Sequence, residues 1–497
     1  MVHAFNILNF EKTIGDKWWR LNNLYKIKDK FGKMVQFILN SAQTSFYYGR
    51  HNLDIILKAR QLGFTTFFCI DYLDDCLFMS NMSAGIIAHN LEDAKSFFED
   101  KIKFAYDNLP DAIKKLRPAN TEKKGELRFN NGSKIRVSSS FRSGTLQRLL
   151  ISEFGKICAK HPHKAKEIVT GALNAVAVGN RVAIESTAEG KAGYFYQYCE
   201  TAKQKKARGE VLGQMDYKLH FFPWYEDPAY KIDATGVVFT QQNLDYFAKL
   251  ESDYGIILTP EQRAWYSKKE ESQGEDMKKE FPSYPDEAFE QAIEGAYYAK
   301  QFALADKERR ITHVPHEPLL KVHTAWDLGM NDSNGIWFFQ EESSGIRRYI
   351  DYYENSGEPL SHYVKVMADK KEYVYGKTIL PHDARVRSLN DGKTRVEILE
   401  GLGLKDIEIV DTPDLNDAIE SVRNFFKKCW FDQTKCALGI NHLRMYRKAW
   451  DDKAGCWKDH PVHGPESHGA DAFRMSVGVS CKEIVIPQQT TARNKYR

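Results

Sequence analysis

The run Leu53-Asp-Ile-Ile-Leu-Lys-Ala59 is short, aliphatic and β-branched; Arg60-Gln-Leu-Gly-Phe-Thr-Thr66 follows it, and then the apolar-rich stretch Phe67 to Met79. This reads as strand, loop and helix, and the pattern recurs. Ala84 to Ala88 predicts a second strand, and Leu91 to Leu109 a helix with apolar residues at 94, 97, 98, 102, 105 and 109. Strands alternating with helices imply a parallel α/β sheet. Gly125 to Ser138 reads as a hairpin about Asn131-Gly132, a pair suited to a type I′ turn. Further strands are expected at Leu146 to Ile151 and Arg181 to Glu185, with a helix between them at Ala165 to Ala177.

A chain of 497 residues exceeds what one hydrophobic core organises, so two or three domains are expected. The pattern places a wound-sheet core at 1–205, a lid or linker subdomain at 206–305, a second α/β domain at 306–480 and a disordered basic tail at 481–497. In the second domain, His323 to Leu328, Gly335 to Gln340 and Ile346 to Tyr352 predict three consecutive strands, and Thr378 to Leu380 a fourth. Hydrophobic residues make up 42% and charged residues 28%, and there is no apolar run of about 18 residues, which excludes a membrane protein. The first twenty residues lack the pattern of a secretory signal, so the chain is expected to stay where it is made. The eight cysteines form no C-x-x-C pair, which disfavours a zinc ribbon or a dithiol site and suits reduced thiols in cytoplasm.

The charge balance, 71 Lys+Arg against 67 Asp+Glu, leaves +4 and does not by itself announce a nucleic-acid partner. Lys101 to Arg136 holds ten basic and four acidic residues, a net +6, and reads equally as a solvated face or a binding surface.

A phosphate-binding loop needs backbone N–H groups at a helix N-terminus, a lysine and a hydroxyl for magnesium. Lys58-Ala-Arg-Gln-Leu-Gly-Phe-Thr65 matches in part. Gly63 and Thr65 are in place, Phe64 fills the lysine slot, and the missing cation is left to Lys58 or Arg60. Leu149-Leu-Ile-Ser-Glu-Phe154 is an apolar strand ending in an acid, with Glu153 as the candidate base and Ser152 where an aspartate holding magnesium is usual. Ile184-Glu-Ser-Thr-Ala-Glu-Gly190 ends another strand in small hydroxyl residues, either a phosphate sensor or a plain turn.

Two-metal nucleases need several carboxylates that converge. Asp327 on the first strand of the meander, Asp383 at the end of Ile379-Leu-Pro-His-Asp383, and Asp471 opening a helix in Ser467-His-Gly-Ala-Asp-Ala-Phe-Arg474 are the candidates. Strand end, strand end and helix start is an arrangement that lets distant acids meet at one sheet edge.

These segments, with Phe281-Pro-Ser-Tyr-Pro-Asp-Glu-Ala-Phe289 and Trp326-Asp-Leu-Gly329, resemble the large terminase subunit of tailed bacteriophages over nearly the whole chain. The resemblance implies an N-terminal additional-strand P-loop ATPase and a C-terminal ribonuclease-H-like nuclease. It implies ATP with Mg2+ held by Lys58, Arg60, Gly63, Thr65 and Thr66, with Thr65 on the metal and Gln43 reading adenine. Glu153 would activate water, Ser186-Thr187-Ala188 would couple hydrolysis to motion, and Arg142 would be an arginine finger donated across a ring. Asp327, Asp383 and Asp471 would hold Mg2+ or Mn2+ in the nuclease. Implied partners are double-stranded DNA, a portal ring, a small terminase subunit and further copies in a pentameric ring. The implied location is the cytoplasm of an infected bacterium, docked transiently on the procapsid and absent from the mature virion.

Two other readings stay open. A helicase-like ATPase/nuclease of DNA repair would need a second ATPase-like lobe, and residues 202–318 look too short and too irregular for one. A packaging nuclease whose ATPase has decayed is suggested by Phe64 and Ser152.

Overall fold

The computed structural model describes residues 13–482, apart from 122, 142–143, 291–292, 294, 330–332, 388–391, 412–413, 452–455 and 463. The chain divides into two compact units, 1–291 and 292–497. The candidate finger Arg142 and the tail from 483 onward lie outside the described residues.

In the first unit, helices α1 (Lys17–Asn23) and α2 (Ser41–Gly49) precede strand β1 (Leu53–Lys58) and helix α3 (Phe64–Phe78). There follow β2 (Ser83–Ile87), β3 (Ala119–Asn120), β4 (Glu126–Phe129), β5 (Lys134–Ser138), β6 (Leu146–Ser152), helix α4 (Phe154–Lys160), β7 (Val176–Ser186) and β8 (Tyr217–Phe222). The sheet order is β8-β1-β7-β6-β2-β5-β4-β3. From β8 to β5 all neighbours are parallel, and β4 and β3 continue the sheet antiparallel. Strand β7 therefore stands between the strand leading into the loop and the strand leading into Glu153, which is the additional-strand P-loop topology. The β4–β5 hairpin turns at Gly132, whose φ of +79° suits glycine.

Burial explains these elements. All but the first residue of β1 are buried, as a strand covered on both faces requires. Helix α3 is buried along nearly its whole length. Phe64 is 1% exposed and packs against Phe46 and Phe222, with ring centroids 5.8 and 4.8 Å away. The residue in the lysine slot is thus a core residue.

Three local expectations change. The stretch Leu91 to Leu109 is an α-helix to Ser96, a π-helical turn over Phe97–Lys103 and a short α-helix Phe104–Asp107. The expected helix at 165–177 is an α-helix ending at Glu167 followed by π and 3-10 turns, and β7 already begins at Val176. Residues 217–222, placed by the sequence pattern in the lid, are edge strand β8 of the main sheet; helices α5 (Gln241–Tyr254) and α6 (Pro260–Gln273) follow.

The second unit contains β9 (Ile311–Thr312), β10 (Val322–Asp327), β11 (Ser333–Glu341), β12 (Arg347–Ser356), β13 (Tyr375–Pro381), β14 (Ile407–Val410), β15 (Cys429–Asp432) and helix α7 (Pro465–Ser476). Its sheet order is β9-β15-β12-β11-β10-β13-β14. Strands β10, β11 and β12 form the antiparallel meander, and β13 and β14 lie parallel beside β10. A meander continued beyond its first strand by two parallel strands, β13 and then β14, is the ribonuclease-H-like arrangement. The core of this unit gathers Trp337, Tyr349, Phe431 and Phe473 about the meander. Among the described residues no helix is long and apolar enough to cross a membrane.

Candidate active sites of the two units

Strand register sets the first site. In the sheet Ile56 faces Glu185, Leu57 faces Ser186 and Ser152 faces Glu185, so Lys58, Ser152, Glu153 and Glu185 gather at the C-terminal edge. Ligands of open α/β sheets bind at that edge. The Lys58 ammonium is 3.0 Å from Glu185 Oε2 and 3.5 Å from Glu153 Oε1. Burial opposes the lysine's charge, but Glu185 and Glu153 more than offset it and hold its pKa above the usual range. Burial likewise opposes ionisation of Glu153, yet Lys58 and Lys156 outweigh it and keep the carboxyl below the usual carboxylate range.

The Thr65 hydroxyl donates to Glu185 Oε1 at 2.8 Å, and the Ser152 hydroxyl donates to the same oxygen at 2.6 Å. Glu185 is fully buried. Its importance escaped the sequence reading because it lies inside an apolar strand; the available signal was the serine at 152, which leaves the strand without an aspartate. Glu153 has a left-handed backbone (φ +55°, ψ +44°) and precedes α4. Strain of that kind at a non-glycine residue marks a position the surroundings fix for a reason. Two residues on, the Gly155 N–H donates to Ser186 Oγ at 3.0 Å, joining the Glu153 turn to the segment Ser186-Thr187-Ala188, all three buried.

The loop itself is anchored from outside. Gly63, at φ +76°, is the residue before α3, and a Cβ there would come within 2.7 Å of Gln43 Nε2. Gln43 donates to the Gly63 carbonyl at 3.0 Å and accepts from Asn40 N–H at 3.1 Å, so its amide joins α2 to the loop. The Thr66 hydroxyl accepts from Lys101 at 2.8 Å, which turns that member of the basic segment inward. Arg60 is half exposed and points away, pairing with Glu280 at 3.1 Å. Lys58, not Arg60, is therefore the cation among Thr65, Glu153 and Glu185.

In the second unit, Asp327 ends β10, and Asp383 follows the end of the parallel neighbour β13 by two residues, within a 3-10 turn His382–Arg385. Asp471 does not open its helix. Helix α7 starts at Pro465, the first-turn proline that marks a helix start, and Asp471 lies in its middle, where α7 crosses β10 and β11. Each carboxylate has a basic partner. Asp327 Oδ2 is 2.9 Å from His468 Nδ1, Asp383 Oδ2 is 3.4 Å from Arg395, and Asp471 pairs with Arg474. Arg395 also donates to the Leu328 carbonyl at 2.9 Å, tying the ends of β10 and β13 together. Asp383 Oδ1 is buried without a hydrogen-bond partner among the described residues. The charge on Arg474, which burial opposes, is favoured first by Asp471 and more weakly by Asp327.

A fourth acid, Glu354, is held by the Tyr352 hydroxyl at 2.5 Å and lies 3.1 Å from His442 Nδ1. No sequence motif flagged it. Hard carboxylate oxygens suit magnesium or manganese. Among the described residues, however, no three His, Cys, Asp or Glu side chains stand together as one metal-ligand set. Asp327 and Asp383 stand at the ends of neighbouring parallel strands and Asp471 on the helix that crosses β10 and β11, each beside a basic side chain.

No protein-family model matches the chain, and no curated protein matches it. Solved structures similar to it include the large terminase of bacteriophage HK97, at 12% identity over 94% of this chain and 99% of that one, with a TM-score of 0.47. The large terminase of a thermophilic bacteriophage is similar at 12% identity over 88% of this chain and 98% of that one, with a TM-score of 0.31. The nuclease domain of the P22 large terminase is similar at 15% identity over 34% of this chain and 87% of that one, with a TM-score of 0.27.

Proposed function

We propose that the chain is a DNA-packaging ATPase and nuclease: it hydrolyses ATP to move double-stranded DNA into a viral procapsid and cuts the concatemer. The observation that carries this reading is Lys58 standing between Glu153 and Glu185, with Thr65 bound to Glu185, at the end of the strand that enters the phosphate loop. The loop fits a nucleotide. Gly63 has no Cβ at the helix N-terminus, where N–H groups and the helix dipole favour phosphate, and Lys58 supplies the cation that Phe64 does not.

Thr65, with its hydroxyl at the start of α3, would hold magnesium, which when bound neutralises charge on the phosphates. Glu153, ionised because Lys58 and Lys156 outweigh its burial, is the group to orient and deprotonate water. A change at Glu153 on turnover would reach Ser186 through the Gly155 hydrogen bond. Arg142 remains the candidate finger across a pentameric ring, and Gln43 the candidate adenine reader. The ring, portal, small subunit and location in the infected cell's cytoplasm belong to this proposal.

The acids Asp327, Asp383 and Asp471 are the candidate cutting site. Among the described residues their present partners do not form a metal-ligand set. The tests are separate for the two activities. ATP turnover with DNA should be present in the wild type and lost in Lys58→Ala; a wild type without turnover would favour a decayed ATPase. Plasmid cleavage, assayed with magnesium or manganese added, should disappear in Asp327→Asn, and cleavage that persists would remove the site. Strand displacement from a duplex would instead favour the repair helicase.

A further inference from the structure

Resting on the nucleotide reading above, we propose that Glu185 supplies, from the strand between the loop strand and the acid strand, the metal-side carboxylate that position 152 lacks. In P-loop NTPases magnesium is held by the loop Ser/Thr and by an aspartate ending the acid strand. Here that residue is Ser152, whose hydroxyl is a donor and brings no negative charge.

Strand β7 lies directly beside β6, and Glu185 is the register partner of Ser152. Its Oε1 accepts from the hydroxyls of Thr65 and Ser152, while Oε2 faces Lys58. The carboxylate therefore stands against the hydroxyl assigned to magnesium, and Ser152 becomes the residue that orients it. Neutralising Lys58 would not by itself explain this geometry, because Glu153 is already within ion-pair distance of the same ammonium. A fully buried carboxylate is costly unless paired and hydrogen-bonded, and Glu185 is fixed by three groups, two of which are parts of the phosphate-binding apparatus.

The serine at 152 and the glutamate at 185 are thus one device, an acid moved one strand over. The same placement leaves Glu153 as the more accessible of the two acids flanking Lys58, with its side chain 22% exposed where that of Glu185 is fully buried. Water-activating and metal-side carboxylates are thereby divided between adjacent strands.

The test uses the full chain, ATP-γ-S and manganese, with free manganese followed by electron paramagnetic resonance. Glu185→Gln should weaken manganese binding to the nucleotide complex about tenfold or more. Adding Ser152→Asp to Glu185→Gln should recover most of that loss, because the carboxylate returns to the acid strand. Wild-type manganese affinity in Glu185→Gln, or no recovery in a folded double variant, overturns the assignment. If Glu185→Gln does not fold, Glu185→Asp, which keeps the charge beside Lys58 with a shorter reach, should show the same loss, and wild-type affinity there overturns it equally. A wild type that binds no nucleotide would overturn the nucleotide reading together with this one. Normal metal-nucleotide binding in wild type and variant alike would overturn this one only.

Discussion

Lys58 neutralises two acids at once, so removing it should be felt in stability as well as in chemistry. Lys58→Ala leaves Glu185 buried without its cation, and breaking a buried pair in this way costs about 3–5 kcal/mol. Urea denaturation should show that loss, and Lys58→Met combined with Glu185→Gln should recover much of it without restoring ATP turnover. A double variant no more stable than Lys58→Ala would mean that the pair is not the source of the loss. Phe64 invites the opposite experiment. Because its ring is buried against Phe46 and Phe222, Phe64→Lys should not recreate a phosphate lysine but should destabilise by several kcal/mol in the same assay. The loop's residue types were legible in the sequence, but its cation was not. Which of Lys58 and Arg60 turns inward depends on Glu280, 220 residues away from Arg60. Glu185 was hidden for a similar reason, since its partners lie on two other strands and on helix α3.

Among elements, the segment from Glu280 to Phe289 links the loop to the helices that follow the sheet. The Arg60 N–H donates to the Glu280 carbonyl at 2.8 Å, and Ser283 accepts from Trp224 Nε1 at 2.9 Å. Glu287 accepts from the Ser283 N–H at 2.6 Å, and burial pushes its carboxyl up from 4.5 to about 7. The folded protein thus holds this proton more tightly than the unfolded chain. Stability from this group is present below pH 4.5 and falls as pH rises through about 7. The loss is on the order of 3 kcal/mol. Thermal melts of the full chain across that window should lose this slope in Glu287→Gln, and an unchanged slope would contradict the assignment. The strand, loop and helix at 53–78 were readable from hydrophobic pattern because local sequence and sheet position agree there. The start of α7 was misplaced because the acids drew the boundary toward Asp471 and away from Gly464-Pro465, the helix-start signal.

At the scale of the molecule, each unit has its own sheet and core, so residues 13–291 and 292–482 expressed separately should each melt cooperatively. A fragment without a cooperative transition would contradict that division. Two α/β units were expected from length and pattern, and the meander of the second was legible strand by strand. The partners of Asp327 and Asp383 were not, because His468 and Arg395 approach through tertiary packing that no spacing encodes, whereas Arg474 lies three residues from Asp471 on the same helix, a spacing the sequence displays. The central claim is that the edge holding Lys58, Glu153 and Glu185 hydrolyses ATP for work on DNA. DNA-stimulated ATP turnover by Glu153→Gln, measured beside the wild type, tests it most directly. Removal of the base should lower the rate about a hundredfold or more, with the variant still folded. A Glu153→Gln protein that turns over ATP near the wild-type rate would contradict it.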